Sequence, residues 1–379
     1  MNGTKTTSVI EWLLDSDPAI RWQVQRDLLD EPGSVHGAER AKVATEGWGA
    51  RLLALQDERG YWGIDELPAR GDADAGLGDG ATRRALRELN EIPIEGLGAY
   101  LGIEADTLAA WEAGQPDMDD ERAEKYVKAV EWMWRIGTYN PAWTSTHFTL
   151  SLLRDFGLEP SSSQARHAID LVRDNVKWEH EGQDYFDGEV EPCINGRAVA
   201  LGAYFGEDVS GIVERLLGEQ LEDGGWNCEA PNGSTRSSFH TTIEVLEGLL
   251  EYERATGSPE AAAAGRRGRE YLLERSLLRR ASTGEVIDDE WTRFAYPTRW
   301  HYDVLRGLDY LRSAGGELDA RASEALDLVE SKRQADGRWL LESSYPGRVH
   351  FSMESGDGEP SRWNTLRALR VLRWAGRAS

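Results

Sequence analysis

Apolar residues recur at helical spacing along this chain, in stretches that alternate with short polar turns. Residues 220–250 show the unit most fully. A helix ends at Gln220, an acidic glycine-rich turn closes on Trp226, and a polar loop leads to a second helix that opens at His240. The apolar positions of this second helix lie three or four residues apart, which gives one helical stripe. The unit of helix, turn, loop and helix recurs, so the sequence predicts a repeat architecture.

The repeats predict helices of two kinds that alternate along the chain. Six apolar helices are predicted to open near Pro18, Trp143, Cys193, His240, His301 and Trp363. Six more highly charged helices precede them and start near Ser8, Ala38, Gln164, Val209, Pro259 and Glu317. Alternating helices with short connections pack as antiparallel pairs, and six such pairs close into a ring. We therefore predict an all-α fold, an (α/α)6 toroid with six inner apolar helices and six outer charged helices.

Composition restricts the partners and the location of the protein. The 379 residues carry a formal net charge of −24, and only six of the 43 basic residues are Lys. A strongly acidic surface repels nucleic acid and anionic lipid. The sequence has no apolar run of about 18 residues and no signal-peptide pattern, so it predicts a cytoplasmic protein without a transmembrane segment. Peripheral membrane contact stays open. Two cysteines 35 positions apart do not make a disulfide framework.

Three turns share a further pattern, in which Gln is followed by two or three residues, then Gly, any residue and Trp. The pairs are Gln56 and Trp62, Gln220 and Trp226, and Gln334 and Trp339. These turns resemble the QW motif of squalene and terpenoid cyclases, and SFHTTIEVLEGL resembles the inner helices of protein prenyltransferase β subunits. The resemblance covers residues 1–65 and 139–379. It implies the same toroid, with an isoprenoid or other apolar small molecule as substrate in a central aromatic cavity.

Residues 66–138 interrupt the repeats and are predicted to form an inserted small helical domain, with the toroid built from 1–65 and 139–379. Within the insert, LGIEADTLAAWEAGQP resembles the turn and recognition helix of Cro/repressor-like helix-turn-helix proteins. The insert, however, has 16 acidic residues and 8 basic ones, and this segment has no Lys or Arg. Phosphate neutralisation supplies most DNA affinity, so nucleic acid is disfavoured as a partner. The alternative is a lid or a protein contact.

The insert also contains Asp117, Asp119 and Asp120 in the spacing DxDD. In the class II terpenoid cyclases that this motif resembles, the middle aspartate protonates the substrate, which would make Asp119 the acid. The same residues follow Pro116 and precede a helical pattern, so they equally suit an N-cap cluster at a helix start. Both interpretations stay open.

The starts of the predicted inner helices share one rim of the ring, because these helices all run in the same direction. Side chains predicted to line a substrate cavity there are Trp143, His147, Phe239, Trp300 and Trp363. Aromatic rings stabilise cations, although such residues also fill cores. His301 and Asp303 are the candidate catalytic residues, with His301 as general acid or base. Positions two apart do not share a helix face, so the pair is not expected to act from one surface.

The same rim carries a candidate zinc site. Protein prenyltransferases bind zinc through an Asp-x-Cys at one inner helix start and a His at a later one. Here Glu191-Pro-Cys193 and His240 occupy similar places, and Cys228 lies in the loop between them. The resemblance implies zinc as a cofactor, with Cys193 and His240 as ligands. Cys228, which the family pattern lacks, is a further candidate ligand, and Glu191 stands where the family has Asp. The alternatives are two buried free cysteines that pack as small apolar residues, or a disulfide.

Three functions follow from these features. The first is a terpenoid cyclase-like or prenyltransferase-like enzyme, which an open aromatic cavity would favour. The second is a zinc-thiolate toroid that acts on a thiol or a peptide, which a bound metal would favour. The third is a non-catalytic interaction protein that uses the helix-turn-helix-like insert, which a filled ring centre would favour.

Overall fold

The structure is a computed structural model that describes residues 8–63, 84, 94, 103–114, 137–140, 142–179 and 182–377. In these ranges the regular secondary structure is helical apart from two two-residue strands, which confirms the predicted all-α class. The DxDD residues and most of the insert lie outside the described residues. No helix in the described part of the chain is long and apolar enough to cross a membrane.

The elements follow one another as the repeats require. In chain order the helices are α1 (Val9–Leu14), α2 (Pro18–Asp27), α3 (Gly33–Ala41), α4 (Gly47–Leu53), α5 (Ala105–Glu112), α6 (Thr146–Phe156), α7 (Ser163–Asn175), α8 (Pro192–Phe205), α9 (Ser210–Gly218), α10 (Phe239–Thr256), α11 (Pro259–Leu273), α12 (Val304–Ala314), α13 (Ser323–Ser331) and α14 (Arg362–Trp374). Two short antiparallel strands are β1 (Trp339–Leu340) and β2 (Pro360–Ser361). In the insert, α5 covers part of the segment that resembles a recognition helix.

Six helices form the inside of the molecule. The inner helices α2, α6, α8, α10, α12 and α14 each contact the next, and α14 contacts α2, so their contacts run in a closed circuit. Each inner helix begins within three residues of its predicted opening. Helices α1, α7, α9, α11 and α13 alternate with them along the chain, as the outer helices were predicted to do. The pattern of apolar positions therefore located the helices that surround the centre.

One outer helix differs from its prediction. Residues 38–55 were expected to form a single helix, but the chain is broken between α3 and α4. Gly47 has a positive φ of 65°, and a Cβ there would lie 2.1 Å from Oδ2 of Asp17. Asp17 caps α2 through the Ala19 N–H and also accepts the Trp48 N–H at 2.7 Å. The break thus lets one carboxylate hold the starts of two helices.

The inner helices are also less apolar than predicted. The charged side chains of Arg197, Glu244, Arg306, Arg367 and Arg370 all belong to inner helices and are buried. They are tolerated because opposite charges meet between neighbouring inner helices, as a buried ion needs a partner. The assignment of charge to the outer helices alone was therefore wrong.

The three turns with the Gln and Trp pattern repeat one set of hydrogen bonds. The indole N–H of each tryptophan donates to a carbonyl ten residues earlier, near the end of the preceding outer helix. The backbone N–H of each donates to a threonine hydroxyl in the first turns of the next inner helix. The tryptophans Trp62, Trp226 and Trp339 are fully buried. Each turn thus ties an outer helix to the inner helix that follows.

Candidate functional site

The two cysteines meet at the start of the inner helices. Cys193 is the second residue of α8, and Cys228 lies in the loop that leads to α10. Their Sγ atoms are 3.0 Å apart, and Oε2 of Glu191 is 3.5 Å from Sγ of Cys193. Glu191, Cys193 and Cys228, which we term the cysteine cluster, each offer a ligand atom, and these atoms all lie within 4.8 Å of one another. Two of the three predicted metal ligands are therefore together, with Glu191 as the third member.

The surroundings of the two thiols favour ionisation of Cys228. Hydrogen bonding with Cys193, and with the Thr241 hydroxyl at 3.4 Å, lowers the pKa of Cys228. The bond to Cys228, burial and neighbouring negative charge raise the pKa of Cys193. Cys228 is therefore the first of the two to become a thiolate as the pH rises.

His240, the third predicted ligand, belongs to a different group of side chains. It is the second residue of α10, and its Nδ1 accepts the backbone N–H of Tyr302 at 2.8 Å. Its ring meets Trp300 and His301 edge-on, at centroid distances of 5.3 and 6.0 Å. Burial and the charge of Arg306 lower the pKa of His240. Within the described residues it is not a member of the cysteine cluster.

His301 lies in a stack of three rings. The ring centroids of Trp300 and Tyr345 are 3.7 and 3.6 Å from that of His301, with interplanar angles of 23° and 6°. Burial, followed by the charges of His240 and Arg306, lowers the pKa of His301 to about 4. Its Nδ1 is buried and has no hydrogen-bond partner among the described residues. His301 is therefore neutral at pH 7, and it is suited to accept a proton rather than to supply one.

Asp303 holds the start of α12. Its Oδ1 accepts the N–H of Arg306 at 2.7 Å, and its Oδ2 accepts that of Ala295 at 3.5 Å. The side chain is 1% exposed, and the Arg367 guanidinium lies 3.8 Å away. Burial raises the pKa of Asp303. Both predicted catalytic residues contact Arg306, which donates its backbone N–H to Asp303 and its guanidinium to the backbone carbonyl of His301.

The side chains predicted to line a cavity occupy different environments. Trp143, His147 and Phe239 are buried, and the last two pack among other rings. Trp300 is 39% exposed. Trp363 is the one member of the predicted set found in the wall of the central cavity described next.

A cavity of about 400 Å³ lies between the inner helices, and all six contribute to its wall. Nine of its lining residues are arginines: Arg26, Arg40, Arg154, Arg197, Arg254, Arg306, Arg312, Arg367 and Arg370. The four carboxylates in the wall are Asp155, Glu247, Glu251 and Asp309. The five aromatic side chains are Trp22, Tyr204, Tyr296, Tyr310 and Trp363. The wall is thus cationic, unlike the aromatic wall that the sequence predicted.

Two glutamates of α10 neutralise two of these arginines. Oε2 of Glu244 lies 2.8 Å from Nε of Arg197, and its Oε1 lies 2.7 Å from a terminal nitrogen of Arg306. Glu247 is 2.8 Å from the same Arg306 guanidinium. Burial opposes the ionisation of Glu247, but the charges of Arg306 and Arg197 outweigh it and lower the pKa of Glu247 to about 2. These pairs fix the relative positions of α8, α10 and α12.

Sequence reasoning missed the arginines of the wall, although a signal was present. Arg306, Arg367 and Arg370 stand inside otherwise apolar stretches, in VLRGLDYL and LRALRVLRW. A charged residue within a helix that is expected to be buried needs a partner or a ligand. The pattern could therefore have pointed to a polar ring centre.

Comparison with known proteins adds little to this geometry. No protein-family model matches the chain, and no curated protein matches it. A similar solved structure is a variant of the type II terpene cyclase MstE from Scytonema, in complex with its substrate geranylgeranyl dihydroxybenzoate. The match covers 90% of this chain and 98% of that one, at 15% identity and a TM-score of 0.30. A likeness of this degree carries no argument about ligand or reaction.

Proposed function

We propose that this protein is an enzyme whose reactive centre is the cysteine cluster with a zinc ion. The observation that supports the proposal is the approach of the two sulfurs to 3.0 Å, with the Glu191 carboxylate in the same group. Thiolates are preferred ligands of zinc, and three protein ligands leave a fourth position for water or substrate. The chemistry that zinc supplies at such a position is activation of a substrate thiol. This is the zinc-thiolate function that the sequence raised as an alternative.

The donor set fits a zinc ion in three respects. Sulfurs bound to one zinc lie at most about 4.6 Å apart, twice the Zn–S bond of roughly 2.3 Å, and the observed separation is inside that limit. The positive end of α8 lies beside the two thiols and favours negative charge on the pair. Cys228 is only partly buried and Glu191 is exposed, so both an ion and a substrate have access to the cluster.

Metal content tests the proposal directly. Protein dialysed against metal-free buffer should contain up to one zinc per chain by inductively coupled plasma mass spectrometry. Cys193→Ser and Cys228→Ser should each lower bound zinc at least about tenfold, because a neutral hydroxyl is a poor zinc ligand. Glu191→Gln should also lower it. Glu229→Gln is the matched control, since Glu229 is an exposed carboxylate beside Cys228 that is not in the cluster.

Other outcomes would reverse parts of the proposal. Metal-free protein of normal stability would refute the zinc centre. Thiol titration of that protein would then separate the remaining alternatives, since two reactive thiols indicate free cysteines and none indicates a disulfide. Loss of zinc in His240→Asn, with zinc retained in Glu191→Gln, would restore the ligand set predicted from the sequence.

An isoprenoid or other apolar substrate is the second candidate, and the aromatic rings of the same rim favour it. Phe148 lies 5.1 Å from Tyr139 and 4.9 Å from Trp143, measured between ring centroids. The exposed face of Trp300 adds a surface against which an apolar chain would pack. Such a chain would lie at the rim rather than among the arginines of the cavity, because burying a charge against hydrocarbon is costly.

Binding of a neutral isoprenoid tests the second candidate. Geranylgeraniol should quench tryptophan fluorescence saturably, and Trp300→Ala should weaken binding at least about fivefold because its ring supplies contact area. Leu29→Ala is the control, since Leu29 is 40% exposed just beyond the end of α2. Equal binding by the two variants, or no binding by the unmodified protein, would remove the apolar substrate.

A further inference from the structure

The cavity between the inner helices has no part in the zinc proposal, and its wall has the composition of an anion site. We propose that it binds a small oxyanion with two or more negative charges, of the phosphate-ester class. The inference does not depend on the cysteine cluster, because Cys193 and Cys228 are not among the lining residues. A volume of about 400 Å³ suits a small molecule, since such sites span roughly 300–1,000 Å³.

Guanidinium groups outnumber the carboxylates that face them. Nine arginines line the wall together with four acids. Three more acids lie behind the wall within reach of these arginines, namely Asp27, Glu244 and Asp303. Among the described residues the surplus is positive even with all seven acids ionised, in a chain whose net charge is −24. A local excess of cations inside an acidic protein concentrates small anions there.

Two arginines of the wall make no ion pair in the described part of the chain. Arg40 donates to the Gly157 carbonyl at 2.8 Å and to the Tyr204 hydroxyl at 2.9 Å. Arg254 donates to the carbonyl and to the hydroxyl of Ser313. Neutral oxygens leave the guanidinium charge uncompensated, and a bound anion would compensate it through charge-assisted hydrogen bonds.

The wall also lacks hydrogen-bond acceptors. Donor atoms without a partner among the described residues are Arg154 Nε, Arg370 Nε, Tyr296 Oη and Trp363 Nε1. The side chains of Arg370, Tyr296 and Trp363 are all more than nine-tenths buried. Apart from the Tyr296 hydroxyl, which can accept as well as donate, no acceptor on a lining residue is left unpaired in this way within the described ranges. Buried donors are normally satisfied, and the oxygens of a phosphate would supply what this wall lacks.

The shape of the wall favours an organic phosphate. Arg26 and Arg254 are exposed, so the cavity reaches the surface and its cations can steer an anion inward. The rings of Tyr296 and Trp363 stack with centroids 4.4 Å apart. A ring pair of this kind offers an apolar surface for the organic group of a phosphate ester, while the guanidinium forks match its oxygens.

Isothermal titration calorimetry with inorganic pyrophosphate and phenyl phosphate tests the proposal. One molecule per chain should bind, more weakly in 0.5 M than in 0.05 M NaCl. Arg40→Gln and Arg254→Gln should each raise Kd about tenfold, because each removes charge-assisted bonds. Neither change strands a carboxylate, so the fold should be retained, which circular dichroism verifies. Arg266→Gln is the matched control, an exposed arginine of α11 outside the wall, and should bind as the unmodified protein does.

The opposite results are equally clear. No saturable binding of either phosphate, or the same affinity in the Arg40, Arg254 and Arg266 variants, would overturn the site. Citrate that binds more tightly than both phosphates would overturn the phosphate-ester class. Cys193→Ser should retain pyrophosphate binding, so loss of zinc in this variant with unchanged pyrophosphate affinity shows that the two proposals succeed or fail separately.

Discussion

The two ends of the inner helices carry different chemistry. Thiols, neutral imidazoles and a carboxylate lie at the helix starts, where Cys193 is the second residue of α8. Most cavity arginines lie in the second half of their helices, as Arg154, Arg254 and Arg370 do. The first turn of a helix carries partial positive charge and the last turn partial negative charge. Parallel inner helices thus favour thiolate at one end of the ring and guanidinium at the other.

The cysteine cluster and the ion pairs beside the cavity also differ in how their charges are held. Glu191 at the helix starts is exposed and belongs to a small cluster. Glu244 at the cavity is 2% exposed and bonds to the buried Arg197 and Arg306. A buried charge that loses its partner is far more costly than an exposed one. Substitution in the cysteine cluster should therefore remove function, whereas substitution in the Glu244 ion pairs should lower stability.

Glu244→Ala should produce the largest effect on stability. It removes the carboxylate shared by two buried arginines, and breaking such pairs costs about 3–5 kcal/mol. Glu191→Ala should change the free energy of unfolding by less than about 0.5 kcal/mol, because the side chain is exposed. Urea unfolding followed by circular dichroism measures both. Similar small losses for the two variants would show that the contrast between the ends does not extend to stability.

As the pH falls, the buried imidazoles should be the first groups to lower the stability of the fold. Burial and the charge of Arg197 lower the pKa of His147 from 6.5 to about 3, and the pKa of His301 is lowered to about 4. The unfolded chain therefore binds protons that the folded chain does not, and stability is lost as the pH falls from about 6.5 towards 4. Glu247, with a pKa of about 2 against 4.5, adds a loss only below about pH 4.5. The ion pairs beside the cavity should thus lose their contribution to stability at a lower pH than the imidazoles do.

One carboxylate acts in the opposite direction. Burial raises the pKa of Glu179 from 4.5 to about 7, so its contribution to stability falls as the pH rises through that interval. Urea unfolding between pH 7 and pH 4 gives the net slope. His147→Asn keeps an acceptor for the Tyr185 hydroxyl, which lies 3.0 Å from Nδ1, but removes the titration. The pH dependence of the free energy of unfolding should then decrease by up to one proton. An unchanged dependence would show that His147 does not contribute to it.

The sequence was sufficient for the helices but not for the polar centre. Helix starts could be predicted because apolar spacing and capping residues such as Asp17 and Pro18 are local signals. The two cysteines could be placed together because Cys193 lies at a predicted inner helix start and Cys228 lies in the loop that leads to the next one. The pairing of Glu244 with Arg306, 62 positions apart, depends on the packing of two helices. His240 accepts the Tyr302 N–H, which is also 62 positions away. The orientation of the His240 ring could therefore not be predicted from the sequence alone.

The tryptophan turns should not distinguish the two ends, because each joins an outer helix to an inner one. Trp226→Phe removes the 2.7 Å bond to the Leu216 carbonyl and should cost about 2 kcal/mol, from the unpaired carbonyl and the smaller ring. Trp339→Phe loses the equivalent bond and should cost the same within about 0.5 kcal/mol. Urea unfolding compares the two variants. A loss of stability in only one of them would show that the turns do not contribute equally to the free energy of unfolding.

The smallest effect expected is on the reactivity of one thiol. In metal-free protein the Thr241 hydroxyl, 3.4 Å from Sγ of Cys228, lowers the pKa of that thiol. Thr241→Val keeps the shape of the side chain and removes the hydrogen bond, so the thiolate fraction at pH 7 should fall.

Alkylation of Cys228 by iodoacetamide should then slow roughly threefold, because the thiolate is the reacting form. Thr256→Val, at the far end of the same helix α10, should leave the rate unchanged, and pyrophosphate binding should be the same in both variants. Equal rates in the two variants would show that the pKa of Cys228 depends on Cys193 and the helix start alone. A change in pyrophosphate affinity would show that the two ends of the ring are coupled, contrary to the separation that their chemistry indicates.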